Sequence, residues 1–459
     1  MKHVVDINQE LIKKYNRPVP RYTSYPTVPN WKEEIDVKQW EDTFITRFNV
    51  ENHTKGISLY VHLPFCESLC TYCGCNKRIT TNHKVEEEYL GAIEKEWKLY
   101  RKLMQQTPVI RELHLGGGTP TFFSPANLKR LVEMLTRNSI IHPNREFSIE
   151  GHPNNTTGDQ LDTLYALGFR RISYGVQDND REVQRLINRH QPFENVKRAT
   201  EHARAKGFTS VNFDLIYGLP AQTLESIETT IEEVITLRPG RIAFYSYAHT
   251  PWTNKGQRLF DETHLPGPAE KIALYLKGKS LLTKAGYVDI GMDHFSLPTD
   301  DLYNAWKNEK LHRNFMGYTT QNSGMLVGLG VSSINDVGNA FAQNHKTLND
   351  YYSTVNTGKL AIKKGYFLTD EDLMFRKNIV DISCKGTTTY TKAQEQALEE
   401  YTFPELALLK ADGLVEFDRN GLKVTKLGHH FIRNICSAFD LFLQRNNSSF
   451  DKPIFSKAI

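Results

Sequence analysis

Four of the six cysteines in this 459-residue chain, Cys66, Cys70, Cys73 and Cys75, fall within ten residues as a C-x3-C-x2-C-x-C run. Thiolates this close bind soft metals, because a single curl of backbone brings them around one centre. Three of them can wrap three irons of a cubane cluster and leave the fourth iron open. S-adenosylmethionine carries an amino group and a carboxylate that would chelate such an open iron. Other readings stand beside this one. Structural zinc asks for two ligand pairs a dozen or more residues apart. Cys70 and Cys73 alone have the spacing of a redox pair, which leaves Cys66 surplus, and buried inert cysteines have no reason to crowd. A disulfide framework belongs to small secreted chains rather than to one of this length. Cys384 and Cys436 stand alone in the sequence and are expected as buried apolar residues.

The elements that must position these thiols follow from periodicity. Short β-rich runs at Ser58–Leu63, Val109–Leu115, Glu146–Glu150, Arg171–Val176, Ser210–Tyr217 and Ile242–Tyr247 alternate with amphipathic helical patterns. One stripe holds Val85, Tyr89, Ile93, Trp97, Tyr100 and Met104; another holds Leu224, Ile227, Ile231 and Val234. This alternation predicts an α/β fold with a parallel sheet, and six such units predict a partial (β/α)6-type barrel. Ligands of such folds gather at the carboxyl ends of the strands. There the sequence places the cysteine loop, Gly116–Thr119, Glu150 and Gln177. Beyond residue 366 the pattern turns helical, with a hairpin over Leu414–Thr425 turning at Asn420-Gly421, a winged-helix-like arrangement read as a packing domain.

Composition is that of a soluble globular protein, at 39% hydrophobic and 24% charged residues, and the net charge of +4 gives no warrant for a nucleic-acid partner. Met1–Glu10 is charged and lacks a signal-peptide core. No apolar run has membrane length, so no membrane association and a cytoplasmic location are expected.

The loop resembles the signature of the radical S-adenosylmethionine superfamily. Several further segments resemble the oxygen-independent coproporphyrinogen III oxidase (coproporphyrinogen dehydrogenase) family of bacterial haem synthesis. They are Arg21-Tyr-Thr-Ser-Tyr-Pro-Thr27, Tyr60-Val-His-Leu-Pro-Phe65, Leu113-His-Leu-Gly-Gly-Gly-Thr-Pro-Thr121 and Tyr174-Gly-Val-Gln-Asp178. Asp214-Leu-Ile-Tyr-Gly-Leu-Pro220, Gly291-Met-Asp-His-Phe295 and Arg313-Asn-Phe-Met-Gly-Tyr-Thr-Thr-Gln321 complete the set. The likeness runs from about residue 17 to about residue 440.

The resemblance implies a radical S-adenosylmethionine barrel with an N-terminal extension over the active site (1–50), a catalytic domain (51–365) and a mostly helical C-terminal domain (366–459). It implies a [4Fe-4S] cluster on Cys66, Cys70 and Cys73, with Cys75 beside the reacting centre rather than on the metal. Tyr60, Tyr72, Gly117, Gly118, Thr119, Glu150, Gln177, Arg189, Asp214, Ala248 and Ile334 are implied as contacts of S-adenosylmethionine, with two molecules bound. Tyr60, Cys75 and Arg21 are implied in catalysis, and Arg21, the tyrosines of Arg21–Thr27 and Arg313 as anchors for substrate carboxylates. One departure stands out. The family often has Glu-x-Asp-Pro where this chain reads Glu150-Gly-His-Pro153.

The implied reaction turns two propionates of coproporphyrinogen III into vinyl groups, with a 5′-deoxyadenosyl radical taking the β-hydrogen and carbon dioxide leaving. Its implied partners are that substrate, a flavodoxin- or ferredoxin-like reducing donor and a terminal electron acceptor, acting on a monomeric chain. A related haem chaperone is the nearest alternative. Cys75 and Arg21–Thr27 favour the enzyme, because that branch usually lacks both.

Overall fold

The computed structural model describes residues 9–445 and Phe455; the first eight residues of the charged stretch Met1–Glu10 lie outside them. Chain contacts form two compact units. One comprises Lys32–Pro266 and Gln321–Phe367, the other Met1–Trp31, Gly267–Thr320 and Leu368–Ile459. A linear division at residues 50 and 365 therefore does not follow the way the chain packs.

The first unit is built on six parallel strands in chain order: β1 (Ile57–Leu63), β2 (Val109–Gly117), β3 (Ile140–Gly151), β4 (Arg171–Gln177), β5 (Ser210–Tyr217) and β6 (Arg241–Ser246). β1, β5 and β6 are buried almost throughout, Tyr60 being the one residue of β1 that is not, whereas β4 alternates, with Ile172, Tyr174 and Val176 buried. The helix Val85–Leu103 buries Tyr89, Ile93, Trp97 and Tyr100, the stripe its periodicity foretold. Leu224–Thr236 begins with a capping box between Thr223 and Ser226 and buries Ile227, Ile231 and Val234.

The sheet continues past β1. Met325–Leu329 pairs parallel with it, Leu59 opposite Val327, and three antiparallel strands follow: Ile334–Asp336, Ala340–Asn344 and Ile362–Phe367. Met325–Leu329 carries Gly328 within the strand. A Cβ at Gly328 would collide with the Ile334 carbonyl, so the close return of the chain requires glycine.

The second unit has its own core, in which Ile12, Tyr15, Tyr22 and Tyr25 pack with Phe375, Ile379, Ile382, Leu406, Ile432 and Ile435. The expected hairpin is present as Val415–Phe417 and Gly421–Val424, joined by Thr387–Thr389 as a third strand. Its turn is pinned by Asp418 Oδ1, which accepts the backbone N–H of Asn420 at 2.7 Å and of Gly421 at 3.1 Å. Cys384 and Cys436 are buried here. Among the described residues no helix is long and apolar enough to cross a membrane.

Candidate active site

The cysteine loop leaves the end of β1 and returns through a two-residue parallel pairing of Phe65–Cys66 with Arg78–Ile79. Its closure is over-determined. The N–H of Arg78 donates to the Pro64 carbonyl at 2.8 Å, and that of Thr80 to the Cys66 carbonyl at 2.9 Å. His62 holds the far side: Nε2 lies 2.9 Å from the Asn76 carbonyl and Nδ1 lies 3.0 Å from the Tyr60 hydroxyl. A carbonyl only accepts, so Nε2 carries the proton and Nδ1 accepts from Tyr60. Burial pushes the His62 pKa down, which keeps this neutral tautomer. On the outer side Asn188 Nδ2 donates to the Leu69 carbonyl at 2.8 Å, and the Thr71 N–H to the Ile187 carbonyl at 2.9 Å.

Each thiol meets a different neighbour. Thr119 Oγ1 donates to Cys66 Sγ at 3.2 Å, and Arg189 Nη1 to Cys70 Sγ at 3.5 Å. Burial pushes the Cys66 thiol up to about 11. A hydrogen bond from Cys75, against the opposing effect of burial, brings Cys73 down to about 6 and holds Cys75 well above the ordinary thiol range.

The strand ends supply a polar floor. Burial works against an ionised Glu150, yet His114, the Gly117 N–H and His62 together hold its carboxyl below the ordinary range. Gly117 donates to Glu150 Oε2 at 3.0 Å, and His114 Nε2 lies 3.3 Å from Oε1. His114 Nδ1 meets Ser148 Oγ at 2.7 Å. Asp214 accepts from Ser173 Oγ at 3.3 Å, and burial, then the nearby charge of Glu150, pushes it up to about 7. Two carboxyls share this floor with opposite shifts.

Glycines keep the space open. At Gly117, φ is +124° and a Cβ would lie 2.8 Å from the His62 ring; at Gly118 it would lie 2.6 Å from the Pro64 carbonyl oxygen and 3.0 Å from Cys66 Sγ. Gln177 ends β4 at φ +67°, a conformation uncommon outside glycine.

Together these groups line a cavity of about 1060 Å³. Cys66, Cys70, Tyr72, Cys73, Cys75, Gly117, Gly118, Thr119, Glu150, Gln177, Arg189 and Asp214 are all on its wall. Arg189 Nε is buried there without a hydrogen-bond partner, an unspent donor suited to an anionic or thiolate-rich guest. Four crowded thiols, one unspent guanidinium N–H and a cradle of glycines fit an iron–sulfur cluster with an amino-acid-bearing ligand.

Other expected residues lie elsewhere. Tyr60 sits on β1 with its ring 5.9 Å from that of His114, supporting the floor. The Ala248 carbonyl accepts from Gln257 Nε2, which also donates to the Tyr72 carbonyl. Ile334 begins a strand opposite Gln343. Arg21 belongs to the second unit, 3.9 Å from Asp293, and its carbonyl accepts from Arg313 Nη2 at 3.1 Å. Arg313 lies 4.7 Å over the Tyr318 ring, with Nε and Nη1 buried and unpartnered. The tyrosines of Arg21–Thr27 are not free to anchor a ligand. Tyr22 is a core residue donating to Asp440 at 3.1 Å, and the Tyr25 hydroxyl accepts from the Leu441 N–H at 3.1 Å. Burial explains the difference, since a buried phenol spends its hydroxyl on the nearest partner.

The sequence reading passed over His62, His114 and Ser173. Strand alternation carried a signal: His62 stands two residues after Tyr60, and Ser148 two before Glu150, so each pair shares a sheet face.

The model of the Radical SAM superfamily matches residues 60–234. The oxygen-independent coproporphyrinogen III oxidase of Escherichia coli (strain K12) is 41% identical over 447 residues, covering 96% of each chain. The protein of that name from Helicobacter pylori (strain J99) is 37% identical, covering 98% of this chain and 99% of its own. A solved structure of coproporphyrinogen III oxidase from Escherichia coli, described as a radical SAM enzyme, superposes with a TM-score of 0.88 at 40% identity over 96% of this chain and 100% of that one. Likeness of this extent spans both compact units, and the chain belongs to the oxygen-independent coproporphyrinogen III oxidase family of radical SAM enzymes.

Proposed function

We propose that this protein catalyses the oxygen-independent oxidative decarboxylation of two propionate side chains of coproporphyrinogen III to vinyl groups, giving protoporphyrinogen IX for haem synthesis. The observation that carries this reading is a near full-length likeness to enzymes of that name, together with a cysteine loop that opens onto one cavity with the strand-end carboxyls. Its cofactors are a [4Fe-4S] cluster and S-adenosylmethionine. Bound together, these supply one-electron cleavage of the sulfonium and hydrogen abstraction from an unactivated carbon, chemistry no side chain offers.

The protein's part is to hold and exclude. Cys66, Cys70 and Cys73 ligate three irons, while Cys75 remains a thiol next to them. Gly117, Gly118 and Thr119 would receive the amino-acid end of S-adenosylmethionine, and Glu150, ionised and fixed by His114, would accept from an N–H of its amino group. Gln177, Arg189, Asp214, Ala248 and Ile334 are further cofactor contacts, and enough of them for a second S-adenosylmethionine. Tyr72 packs against the purine, and Tyr60 aligns His114 and His62 beneath. Arg21 and Arg313 bind propionates by charge-assisted hydrogen bonds. A reducing carrier protein supplies the electron, and an external acceptor takes one from the substrate after carbon dioxide leaves. The protein acts as a monomer.

Anaerobic turnover tests the reading. Reconstituted protein, dithionite, S-adenosylmethionine and coproporphyrinogen III should give 5′-deoxyadenosine and a porphyrinogen lighter by two carbon dioxide units and four hydrogens. Deoxyadenosine without that product would reject the substrate.

A further inference from the structure

Between the end of β6 and Phe260 the chain makes a short turn, Lys255–Arg258, whose burial runs against its composition. Leu259 beside it is 66% exposed, whereas the polar Gln257 is 1% exposed. A buried amide next to an exposed leucine is held there by its hydrogen bonds rather than by apolar packing. Gln257 Nε2 donates one proton to the Tyr72 carbonyl at 3.0 Å and the other to the Ala248 carbonyl at 3.1 Å. Its Oε1 accepts the Thr250 N–H at 2.6 Å. Among the described residues no other group donates to either carbonyl. The turn sits close against the cysteine loop, since a Cβ at Gly256 would lie 3.6 Å from the Thr71 carbonyl oxygen. Both ends of the segment are fixed independently, because Tyr247 and Phe260 share one buried apolar cluster, against which Tyr72 packs.

The two carbonyls that converge on this amide belong to different parts of the site. Tyr72 lies between Cys70 and Cys73, and its carbonyl shares a peptide plane with the Cys73 N–H, which donates to the Cys70 carbonyl at 3.2 Å. Holding that oxygen therefore fixes the backbone that carries the Cys73 thiol. The Ala248 carbonyl stands two residues beyond β6, at the strand end. Carbonyl oxygens only accept and repel one another, so a donor with two protons between them keeps both turned to one point. We propose that Gln257 is a positioning residue for the cluster and S-adenosylmethionine together, its carboxamide tying the Tyr72–Cys73 peptide to Ala248 at a fixed separation. The inference rests on the reading of Cys66, Cys70 and Cys73 as cluster ligands and of Tyr72 and Ala248 as cofactor contacts. Gln257 is not on the cavity wall, so it acts through the backbone of residues that serve the site. Without its two N–H groups both carbonyls lose their donor, and the peptide before Cys73 turns to find another.

The test compares three variants of the full chain, reconstituted without oxygen. Gln257→Glu keeps the acceptor for Thr250 and removes both donors; Gln257→Met keeps the length of the side chain and removes all three bonds. Asn254→Ala removes the Nδ2 donation to Thr250 Oγ1 at 2.8 Å, which loosens the same segment and leaves Gln257 in place. S-adenosylmethionine is titrated into the dithionite-reduced protein and followed by the change in the paramagnetic resonance spectrum of the cluster. Its midpoint should rise about tenfold in both Gln257 variants, with KM for S-adenosylmethionine rising alike and kcat within about twofold of the wild type. Release of iron to a chelator should be about fivefold faster in both, and Asn254→Ala should match the wild type throughout. Wild-type midpoints and iron release in a folded Gln257→Glu or Gln257→Met protein would overturn the proposal. So would an equal shift in Asn254→Ala, because the effect would then belong to the segment and not to the amide. A wild-type spectrum indifferent to S-adenosylmethionine would instead strike at the cofactor reading, and iron release would still decide the role of Gln257.

Discussion

Cys66, Cys70 and Cys73 share a loop but not an environment: a threonine hydroxyl faces the first, a guanidinium the second and another thiol the third. Replacing any one of them by Ser should abolish the visible absorbance of the reconstituted four-iron cluster together with cleavage of S-adenosylmethionine, since two thiolates cannot replace three. Cys75→Ser should keep that absorbance; loss of iron from it would move the ligand set. His152, the residue that departs from the family pattern, lies on the cavity wall, where Nδ1 accepts the Asn154 N–H at 3.2 Å. Burial and then Arg189 push its pKa down to about 2. The residue is therefore neutral at any working pH, where a carboxylate would have been charged. The sign of its pH effect follows. Below 6.5 the unfolded chain takes up a proton that the folded one refuses, so stability falls on acidification. Against His152→Asn, the wild type should lose roughly 1 kcal/mol between pH 6.5 and 5, measured by urea unfolding. Parallel curves would show that the ring is solvated.

At the scale of elements, one buried carboxyl ties four of them together. Glu96, on the helix Val85–Leu103, accepts from the Gly330 N–H at 2.8 Å, the Tyr351 hydroxyl at 2.7 Å and Asn344 Nδ2 at 2.6 Å. The turn it grips leads into Ile334, proposed above as a cofactor contact. Sequence periodicity located the helix but carries no sign that Glu96 is buried, because its partners come from residues more than two hundred positions away. Burial pushes its pKa up to about 7 despite these donors. Between the ordinary carboxylate value and about 7 the folded protein holds the proton more tightly than the unfolded chain, so this residue's contribution declines as pH rises through that window and is flat above it. Glu96→Gln has no such titration. Its melting temperature relative to the wild type should climb from pH 4.5 to 7 and then level off, and a difference independent of pH would show that Glu96 stays ionised throughout.

For the whole molecule, what could be read from the sequence was local or nearly so. Six strands and their helices follow from periodicity, and the strand-end rule gathers the cysteine loop, Gly117–Thr119, Glu150 and Gln177 onto one cavity wall. Arg189 and Asp214 on that wall were legible only through the family resemblance. What escaped was long-range partnership. Nothing in Met325–Leu329 announces that it pairs with β1, and nothing in Arg21–Thr27 announces that its tyrosines are core. The second unit is assembled from three separated stretches of chain, and its N-terminal stretch contributes Ile12, Tyr15, Val19, Tyr22 and Tyr25 to the same apolar cluster as Ile379, Leu406 and Ile435. An arm that merely covered a site could be removed without cost to folding; an arm that completes a core cannot. Deleting residues through Pro20 would strip Ile12, Tyr15 and Val19 and leave their partners facing water. Each large buried side chain lost from a core costs about 2–5 kcal/mol. The truncated chain should bind a hydrophobic dye that the full chain does not, and should unfold at markedly lower urea. Tyr22→Phe, which removes only the hydroxyl bonded to Asp440, should cost about 1 kcal/mol by the same measurement. Equal stability of the truncated and full chains would return the N-terminal stretch to the role of a cover.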